Sequence, residues 1–196
     1  MTAAVVLAAG LSRRMGEQDK LRLPVGGAPM YRHALTLAAD VADTCLVVTN
    51  DPGLAAEGEE MGVRAVPSPR AAEGMGYSVA AGAAALDARA DYALFLGADQ
   101  PFLQPATVQQ LVHLAQESDC IAVPRVDGKP CAPCVFPRRF FGELAALTGD
   151  TGGRAVWKQH ADEVRFWDTP NTAEFADIDT PESYQRLAGL DFPPGL

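Results

Sequence analysis

The amino-acid sequence predicts an α/β fold in which a mostly parallel, twisted sheet is covered by helices on both faces. Short apolar runs alternate with longer segments of helical periodicity along about the first 125 residues, the pattern of repeated strand and helix units. The runs Ala3 to Ala8 and Tyr92 to Leu96 are almost continuously apolar, as expected for strands buried on both faces. No repeat, linker or low-complexity stretch divides the 196 residues, so we expect one domain over residues 1–196.

The predicted strands are short apolar runs bounded by glycine, polar or charged residues. In chain order they are Ala3 to Ala8, Cys45 to Thr49, Val63 to Val66, Tyr92 to Leu96, Cys120 to Val123, Cys134 to Phe136 and Val164 to Trp167. The predicted helices have apolar residues three or four positions apart. They are Pro29 to Ala39, Gly76 to Leu86, Pro105 to Gln116, Arg138 to Leu147, Gly153 to His160 and Glu182 to Leu187. Pro29 suits a first helical position, and Thr180-Pro181 predicts an N-cap followed by the first residue of the last helix.

Composition excludes several classes of function. The formal net charge of −9 argues against a general affinity for nucleic acid. Apolar runs such as Ala3 to Ala9 are too short to span a bilayer, and no secretory signal pattern is apparent. The four cysteines are scattered, so we expect no disulfide framework and a protein of the reducing cytoplasm.

The loop after the first strand, Leu7 to Gly16, is rich in small and basic residues. The small side chains from Ala8 to Gly10 allow a ligand to approach the backbone amides, which can bind an anion. Arg14 and Lys20 would add positive charge for the phosphates of a nucleotide. Neither the Walker loop nor the dinucleotide-binding glycine pattern fits this spacing. From the residues alone, a surface turn with solvated arginines is the alternative.

The order Leu-Ala-Ala-Gly-x-Ser-x-Arg-Met-Gly, followed by Lys20 and Leu23-Pro24, resembles the signature of the MobA-like nucleotidyltransferases. The form Leu-Ala-Ala-Gly is similar to the molybdenum cofactor cytidylyltransferases, whereas the guanylyltransferases more often have Leu-Ala-Gly-Gly. The resemblance implies a Rossmann-like nucleotidyltransferase fold, with Arg14 and Lys20 as catalytic residues that hold the triphosphate. The nucleotide-binding residues expected are Leu7, Ala8, Ala9, Gly10, Ser12, Arg14, Lys20, Gly74 and Ser78.

The segment Gly74 to Gly82 opens a predicted helix with glycines and the hydroxyl of Ser78. The free N–H groups of a helix start can bind a phosphate or a nucleotide. The same residues would also suit a helix in which Ser78 faces inward and Gly82 allows close packing. The segment resembles the cytidylyltransferase pattern Gly-Met-x-x-Ser-Leu-x-x-Gly, which favours the functional interpretation.

Two acidic loops are candidates for a metal site. Asp99 follows the strong strand at Tyr92 to Leu96, where a carboxylate is well placed to bind Mg²⁺, although an aspartate there can instead cap its own turn. Asp177 and Asp179 lie on one side of an extended segment near the carboxyl end. The family resemblance implies that Asp99 is catalytic and binds the metal, and we expect Asp179 to be its second ligand.

A further loop carries candidates for binding the acceptor. Gly149 to Arg154 resembles the family pattern Gly-Asp-x-Gly-Ala-Arg, so Asp150 and Arg154 are candidates for binding the acceptor; a helix cap and a solvated arginine are the alternatives. The family usually has a histidine where this chain has Ala132. Cys131 and Cys134 form an isolated C-x-x-C pair without zinc spacing elsewhere, which we interpret as packing.

These resemblances imply a Mg²⁺-dependent transfer of CMP from CTP to the phosphate of molybdopterin, a phosphorylated pterin, with release of pyrophosphate. A molybdoenzyme or its chaperone is a further expected partner. The nearest rival function is a guanylyltransferase, or another nucleotidyltransferase with a different phosphorylated acceptor. A rival of another class is a non-catalytic protein that delivers the cofactor.

Overall fold

A computed structural model describes residues 1–10 and 19–187, and it confirms the predicted α/β fold with a mostly parallel sheet. Within these residues the strands lie close to the predicted runs, with three short additions. They are β1 (Thr2–Leu7), β2 (Pro24–Val25), β3 (Ala28–Pro29), β4 (Thr44–Val48), β5 (Arg64–Val66), β6 (Tyr92–Gly97), β7 (Ile121–Val126), β8 (Lys129–Pro130), β9 (Cys134–Pro137) and β10 (Val164–Asp168). The α-helices are α1 (Met30–Val41), α2 (Pro52–Glu60), α3 (Met75–Ala84), α4 (Pro105–Ser118), α5 (Phe141–Ala145), α6 (Arg154–Gln159) and α7 (Pro181–Leu187).

The main sheet has the strand order β10-β7-β9-β6-β1-β4-β5, with β8 paired to β7. The central strand β1 is parallel to both β4 and β6, and β7 is parallel to β10. Strand β9 is antiparallel to its neighbours β6 and β7. The carboxyl ends of β1, β4 and β6 therefore meet at one edge of the sheet, where ligands of open α/β sheets bind.

The change of direction before β9 begins at a tight hairpin between β7 and β8. Asp127 and Gly128 connect the two strands, and both have positive φ angles, 50° and 74°. A two-residue loop with positive φ at both positions is the turn that matches the twist of a hairpin, and Asp-Gly is a preferred sequence for it. The dipeptide is visible in the sequence, although this hairpin is not among the predicted elements.

The core lies on both faces of the sheet, as predicted. Along β1, Ala4 and Val6 belong to one buried cluster and Val5 to the other, because successive side chains of a strand point to opposite faces. Helices α1 and α4 cover the first face, while α3, α5 and α6 cover the second. No helix in the described ranges is long and apolar enough to cross a membrane.

Three local features differ from the predicted elements. Helix α2 was not predicted, because its two glycines and few buried residues weaken the helical pattern; Asp51 caps it by accepting hydrogen bonds from the amides of Gly53 and Leu54. The predicted helix Arg138 to Leu147 is a 3₁₀ turn at Arg138–Phe140 followed by the short α5. Pro29 pairs with Pro24 in the β2–β3 hairpin, so α1 begins one residue later, at Met30.

Helix α3 packs closely on the sheet at Gly82, and this contact generates a test. A Cβ atom on Gly82 would lie 2.5 Å from Cγ1 of Val5 and 3.2 Å from Cγ2 of Val48, both in central strands. We expect Gly82→Ala to lower the free energy of unfolding by about 1–3 kcal/mol, the usual cost of overpacking a core. Urea unfolding followed by circular dichroism measures it.

The matched control is Gly142→Ala, because Gly142 is an exposed helical glycine whose added Cβ meets nothing within 4 Å. Alanine favours a helix over glycine by about 1 kcal/mol, so this variant should be as stable as the wild type or slightly more stable. Equal unfolding midpoints for the two variants would contradict the proposed packing at Gly82.

Candidate active site

A cleft of about 840 Å³ lies at the carboxyl edge of the parallel strands. Its walls come from the ends of β1 and β6, the start of α3 and several loops that are distant in sequence. The lining residues are Leu7, Ala9, Gly10, Lys20, Leu21, Ala71, Ala72, Glu73, Gly74, Met75, Ser78, Gly97, Asp99, Gln100, Pro130, Cys131, Ala132, Asp150, Asp177 and Asp179. The volume is in the range of pockets that hold small ligands and cofactors.

The charged centre of the cleft is formed by Lys20, Asp99 and Asp179. The Lys20 ammonium nitrogen Nζ lies 2.7 Å from Oδ2 of Asp99 and 2.6 Å from Oδ1 of Asp179. The side chains are 12%, 28% and 26% exposed, so these ion pairs are largely shielded from solvent. Close contact of opposite charges is stronger there than on the surface, because water screens it less.

Lys20 remains a cation at neutral pH. Burial by itself lowers the pKa of its ammonium group, but the charge of Asp99 and the hydrogen bonds to Asp179 and Asp99 outweigh the burial, and the pKa lies above its ordinary value. A third carboxylate, Asp177, lies beside them. Burial, followed by the charges of Asp99 and Asp179, raises the pKa of Asp177 to about 6. The site therefore concentrates negative charge that one lysine does not fully neutralise.

Asp99 owes its position to the end of β6. A Cβ atom on Gly97 would lie only 2.4 Å from Oδ1 of Asp99, so glycine leaves room for the carboxylate to fold back over the strand end. The amide of Ala98 donates to the carbonyl of Leu7 at 3.1 Å, which joins this turn to the end of β1. The amide of Ile178 donates to the carbonyl of Asp99 at 3.1 Å and draws the acidic segment near the carboxyl end to the same place.

Asp179 is held by the start of α7, where the predicted cap is present. Thr180 Oγ1 accepts a hydrogen bond from the amide of Ser183 at 3.1 Å. In return, Ser183 Oγ accepts hydrogen bonds from the amides of Asp179 and Thr180, each at 3.0 Å. This reciprocal capping fixes the backbone of Asp179 directly before the helix.

The predicted nucleotide-binding residues fall into three groups. Leu7, Ala9, Gly10, Lys20, Gly74 and Ser78 all line the cleft. Ala8 does not, because its side chain is buried in the core and its amide donates to the carbonyl of Val48. Ser12 and Arg14 lie outside the described residues. Ser78 is also part of the interior: its hydroxyl donates to that of Ser68 at 3.4 Å, and the Ser68 amide donates to Asn50 Oδ1 at 2.9 Å.

The loop that carries Asp150 is packed directly on the start of α3. The amide of Gly76 donates to the carbonyl of Gly149 at 2.9 Å. A Cβ atom on Gly76 would lie 2.7–2.9 Å from the carbonyl oxygens of Thr148, Gly149 and Thr151, so only a glycine permits this approach. Asp150 lines the cleft, whereas Arg154 does not. Arg154 is exposed, and its Cζ lies 5.7 Å from the centroid of the Trp157 ring.

Several lining residues were not singled out from the sequence. Gln100 is only 4% exposed; its Nε2 donates to the Ala132 carbonyl at 3.4 Å, and its buried Oε1 has no hydrogen-bond partner among the described residues. Met75, at the rim, is 56% exposed. The position of Gln100 after a strand end was a usable signal, whereas nothing in the sequence distinguishes Met75 from a core methionine.

The C-x-x-C pair has the environment of structural thiols. All four cysteines are free. Burial raises the pKa of Cys131 to about 11 and that of Cys134 to about 12, which disfavours the reactive thiolate. The Cys134 thiol donates to the Cys131 carbonyl at 3.5 Å. These features support the interpretation of the pair as packing, although Cys131 also lines the cleft.

The cleft fits a divalent cation that takes only part of its coordination from protein. No group of three or more histidine, cysteine, aspartate or glutamate residues within 1–10 and 19–187 could hold a metal ion. The carboxylates of Asp99 and Asp179 nevertheless converge on one positive charge, the ammonium of Lys20. Mg²⁺ is commonly held by one or two carboxylates, with phosphate oxygens and water as the other ligands.

Comparison with known proteins identifies relatives over nearly the whole chain. The family model described as MobA-like NTP transferase domain matches residues 4–164. A molybdenum cofactor guanylyltransferase from Shewanella frigidimarina is 32% identical over 193 residues, and the alignment covers 94% of each chain. Among solved structures, Rv0371c of Mycobacterium tuberculosis superposes with a TM-score of 0.79 at 26% identity, covering 97% of this chain and 100% of that one. Its complex with manganese gives a TM-score of 0.74 at 26% identity, with coverages of 95% and 97%.

The contact between Gly76 and the loop at residues 148–151 gives a structural test. In a Gly76→Ala variant the added methyl group must push away three carbonyl oxygens, so the hydrogen bond from Gly76 to Gly149 should be lost. We expect the variant to fold but to lose about 1–3 kcal/mol of stability, as for other overpacked sites. Amide hydrogen exchange at residue 76, the donor of this bond, should become faster than in Gly142→Ala; unchanged exchange there would refute the contact.

Proposed function

Because the chain belongs to the MobA-like NTP transferase family and is a nucleotidyltransferase, we propose that it transfers CMP from CTP to the phosphate of molybdopterin and releases pyrophosphate. The observation that carries this proposal is the meeting of Lys20, Asp99 and Asp179 in one cleft at the strand ends. A triphosphate needs a positively charged side chain beside it and carboxylates that can bind its metal ion. In this cleft the Lys20 ammonium lies within hydrogen-bond distance of the carboxylates of Asp99 and Asp179.

The reaction is an in-line displacement at the α-phosphorus of CTP. An oxygen of the acceptor phosphate forms the new P–O bond, and the bond between the α-phosphorus and the bridging oxygen breaks, so that pyrophosphate leaves with the electron pair. A phosphate monoester is already anionic near neutral pH, and no strong general base is needed. Positioning and charge neutralisation supply most of the acceleration.

Each residue of the charged centre has a separate task. Lys20, with Arg14 from the part of the loop outside the described residues, binds the β- and γ-phosphates and stabilises the charge that develops on pyrophosphate. Asp99 and Asp179 would hold Mg²⁺. When bound, the ion neutralises charge on the phosphates and polarises them for attack. The amides around Ala9 and Gly10 and the start of α3 bind the nucleoside.

The choice of CTP rests on Ala9. Ala9 is 8% exposed and lines the cleft beside Gly10, whose own added Cβ would meet nothing within 4 Å. A methyl group at position 9 narrows the floor of the nucleoside site and favours a pyrimidine over the larger purine. GTP is the second candidate, because the relative from Shewanella frigidimarina is named a guanylyltransferase.

The side of the cleft where we expect the acceptor is lined by Cys131, Ala132 and Asp150. The pterin ring and its phosphate are expected there, opposite the nucleoside. The product would pass to a molybdoenzyme or its chaperone. The four free thiols agree with a cytoplasmic protein.

Asp99 provides the test that separates an enzyme from a non-catalytic delivery protein. We expect wild-type protein with CTP, molybdopterin and Mg²⁺ to release pyrophosphate, and Asp99→Asn to lower kcat/KM by about 100-fold or more, since it removes charge that holds the cation. Asp91→Asn is the control, because that carboxylate is exposed, pairs with the amino terminus of Met1 and precedes β6, at the opposite edge of the sheet from the cleft. Absence of metal-dependent release in the wild type would support delivery without turnover.

Ala9 provides the test of the nucleobase. We expect wild type to prefer CTP, and Ala9→Gly to raise the ratio of kcat/KM for GTP over CTP by about tenfold, the usual effect of one methyl group in a pocket. The ratio is its own control, because loss of stability affects both nucleotides equally. Wild-type preference for GTP would overturn the cytidylyl assignment and favour the guanylyl candidate.

A further inference from the structure

The most heavily shielded side chain of the charged centre is the lysine, not a carboxylate. Lys20 is 12% exposed, and its ammonium group lies between the two aspartates at 2.7 and 2.6 Å. These are the carboxylates that the proposed function assigns to the divalent cation. In the protein alone, the position between them therefore already contains a positive charge.

The ammonium and a divalent cation cannot share these oxygens without a large electrostatic penalty. A cation bound at about 2.1 Å from either oxygen lies within roughly 4.8 Å of Nζ, because the two distances can at most add. At such a separation a single and a double positive charge repel strongly in a site that is shielded from solvent. One of the two must leave when the other binds.

The lysine is the partner that can leave. Its flexible four-carbon stem allows the ammonium to move while the backbone stays in place. The backbone is anchored by the next residue, since Leu21 is 6% exposed and its amide donates to Asp19 Oδ1 at 3.1 Å. A bound triphosphate offers the displaced ammonium new anionic partners in the same cleft.

We propose that Lys20 and the divalent cation occupy the Asp99–Asp179 pair in turn. In the nucleotide-free protein the ammonium neutralises the pair; when a nucleotide binds with its metal, the triphosphate accepts the ammonium and the aspartates accept the cation. This inference rests on the proposed function and adds a thermodynamic consequence to it. The metal and the nucleotide each strengthen the binding of the other, and the free protein binds the metal weakly.

The lysine also explains how the free protein tolerates its acidic cluster. Asp99, Asp177 and Asp179 would repel one another without a cation, and Lys20 pairs directly with two of them. Removing the lysine charge should therefore make the Asp99–Asp179 pair a better site for a metal ion, which is the opposite of the loss expected when a residue only assists metal binding.

The test uses Mn²⁺ as the probe and the full-length protein without nucleotide. Isothermal titration, checked by the electron paramagnetic resonance signal of free Mn²⁺, should show that Lys20→Met binds Mn²⁺ at least about tenfold more tightly than wild type. Lys158→Met is the matched control; Lys158 is exposed on α6, away from the cleft, and this variant should bind Mn²⁺ as the wild type does. The double variant that combines Lys20→Met with Asp99→Asn should lose this increase in Mn²⁺ affinity.

A second measurement addresses the coupling. A non-hydrolysable CTP analogue should increase the Mn²⁺ affinity of wild type by about tenfold or more, and should increase that of Lys20→Met by less, because no ammonium remains to be displaced. If Lys20→Met folds only when Mn²⁺ is added, the exchange is also supported, since the ion replaces the missing charge. Lys20→Gln should behave in the same way.

The outcomes distinguish this inference from the proposed function. Equal or weaker Mn²⁺ binding by Lys20→Met, or failure of both lysine variants to fold even with Mn²⁺, overturns the exchange. If instead neither wild type nor Lys20→Met binds Mn²⁺, with or without the CTP analogue, the metal site itself is wrong and the proposed function fails with it. Tight Mn²⁺ binding by nucleotide-free wild type, unaffected by the analogue, removes the exchange but leaves the metal site intact.

Discussion

The cleft depends on the balance of charge between one lysine and a group of aspartates brought together at the edge of the sheet. Carboxylates that are shielded from solvent lose hydration and repel one another, so they persist only with a cation nearby. Lys20 supplies that cation at 2.6–2.7 Å from two of them. Burial, followed by the charges of Asp99 and Asp179, raises the pKa of Asp177 to about 6. The protein thus keeps a site whose negative charge is only partly neutralised, as expected where a metal and phosphates bind.

The parallel sheet brings these charged residues together. Parallel strands bring their carboxyl ends to one edge, so the end of β1 and the turn after β6 lie side by side although they are far apart in sequence. The third component comes from near the carboxyl end of the chain, and the hydrogen bond from the Ile178 amide to the Asp99 carbonyl attaches it. The capping of α7 by Thr180 and Ser183 then fixes the position of Asp179.

The two halves of the cleft are joined by backbone contact. Gly74 and Gly76 approach the loop that carries Asp150 so closely that any side chain on either glycine would overlap its backbone. The side that would bind the nucleoside and the side that would bind the acceptor therefore move together, because neither can shift without breaking this contact. Such a connection suits a reaction in which two substrates must be aligned at one phosphorus atom.

The sequence by itself determined the α/β fold, the strands and most helices, because their apolar periodicity is a local property that survives in any tertiary context. It also identified Lys20, Asp99 and Asp179 as separate candidates, each from its own loop. Helix α2 was not predicted because its glycines and few buried positions make a weak helical pattern. The Asp127-Gly128 hairpin that precedes β9 was not predicted either, although its dipeptide is a preferred turn sequence.

Only the tertiary structure decided that Lys20 binds both aspartates, that Gln100 and Met75 line the cleft, and that Arg154 does not. These facts depend on distances between residues from loops far apart in the chain. Such distances are set by strand order and by close backbone packing, which no local pattern of residues encodes.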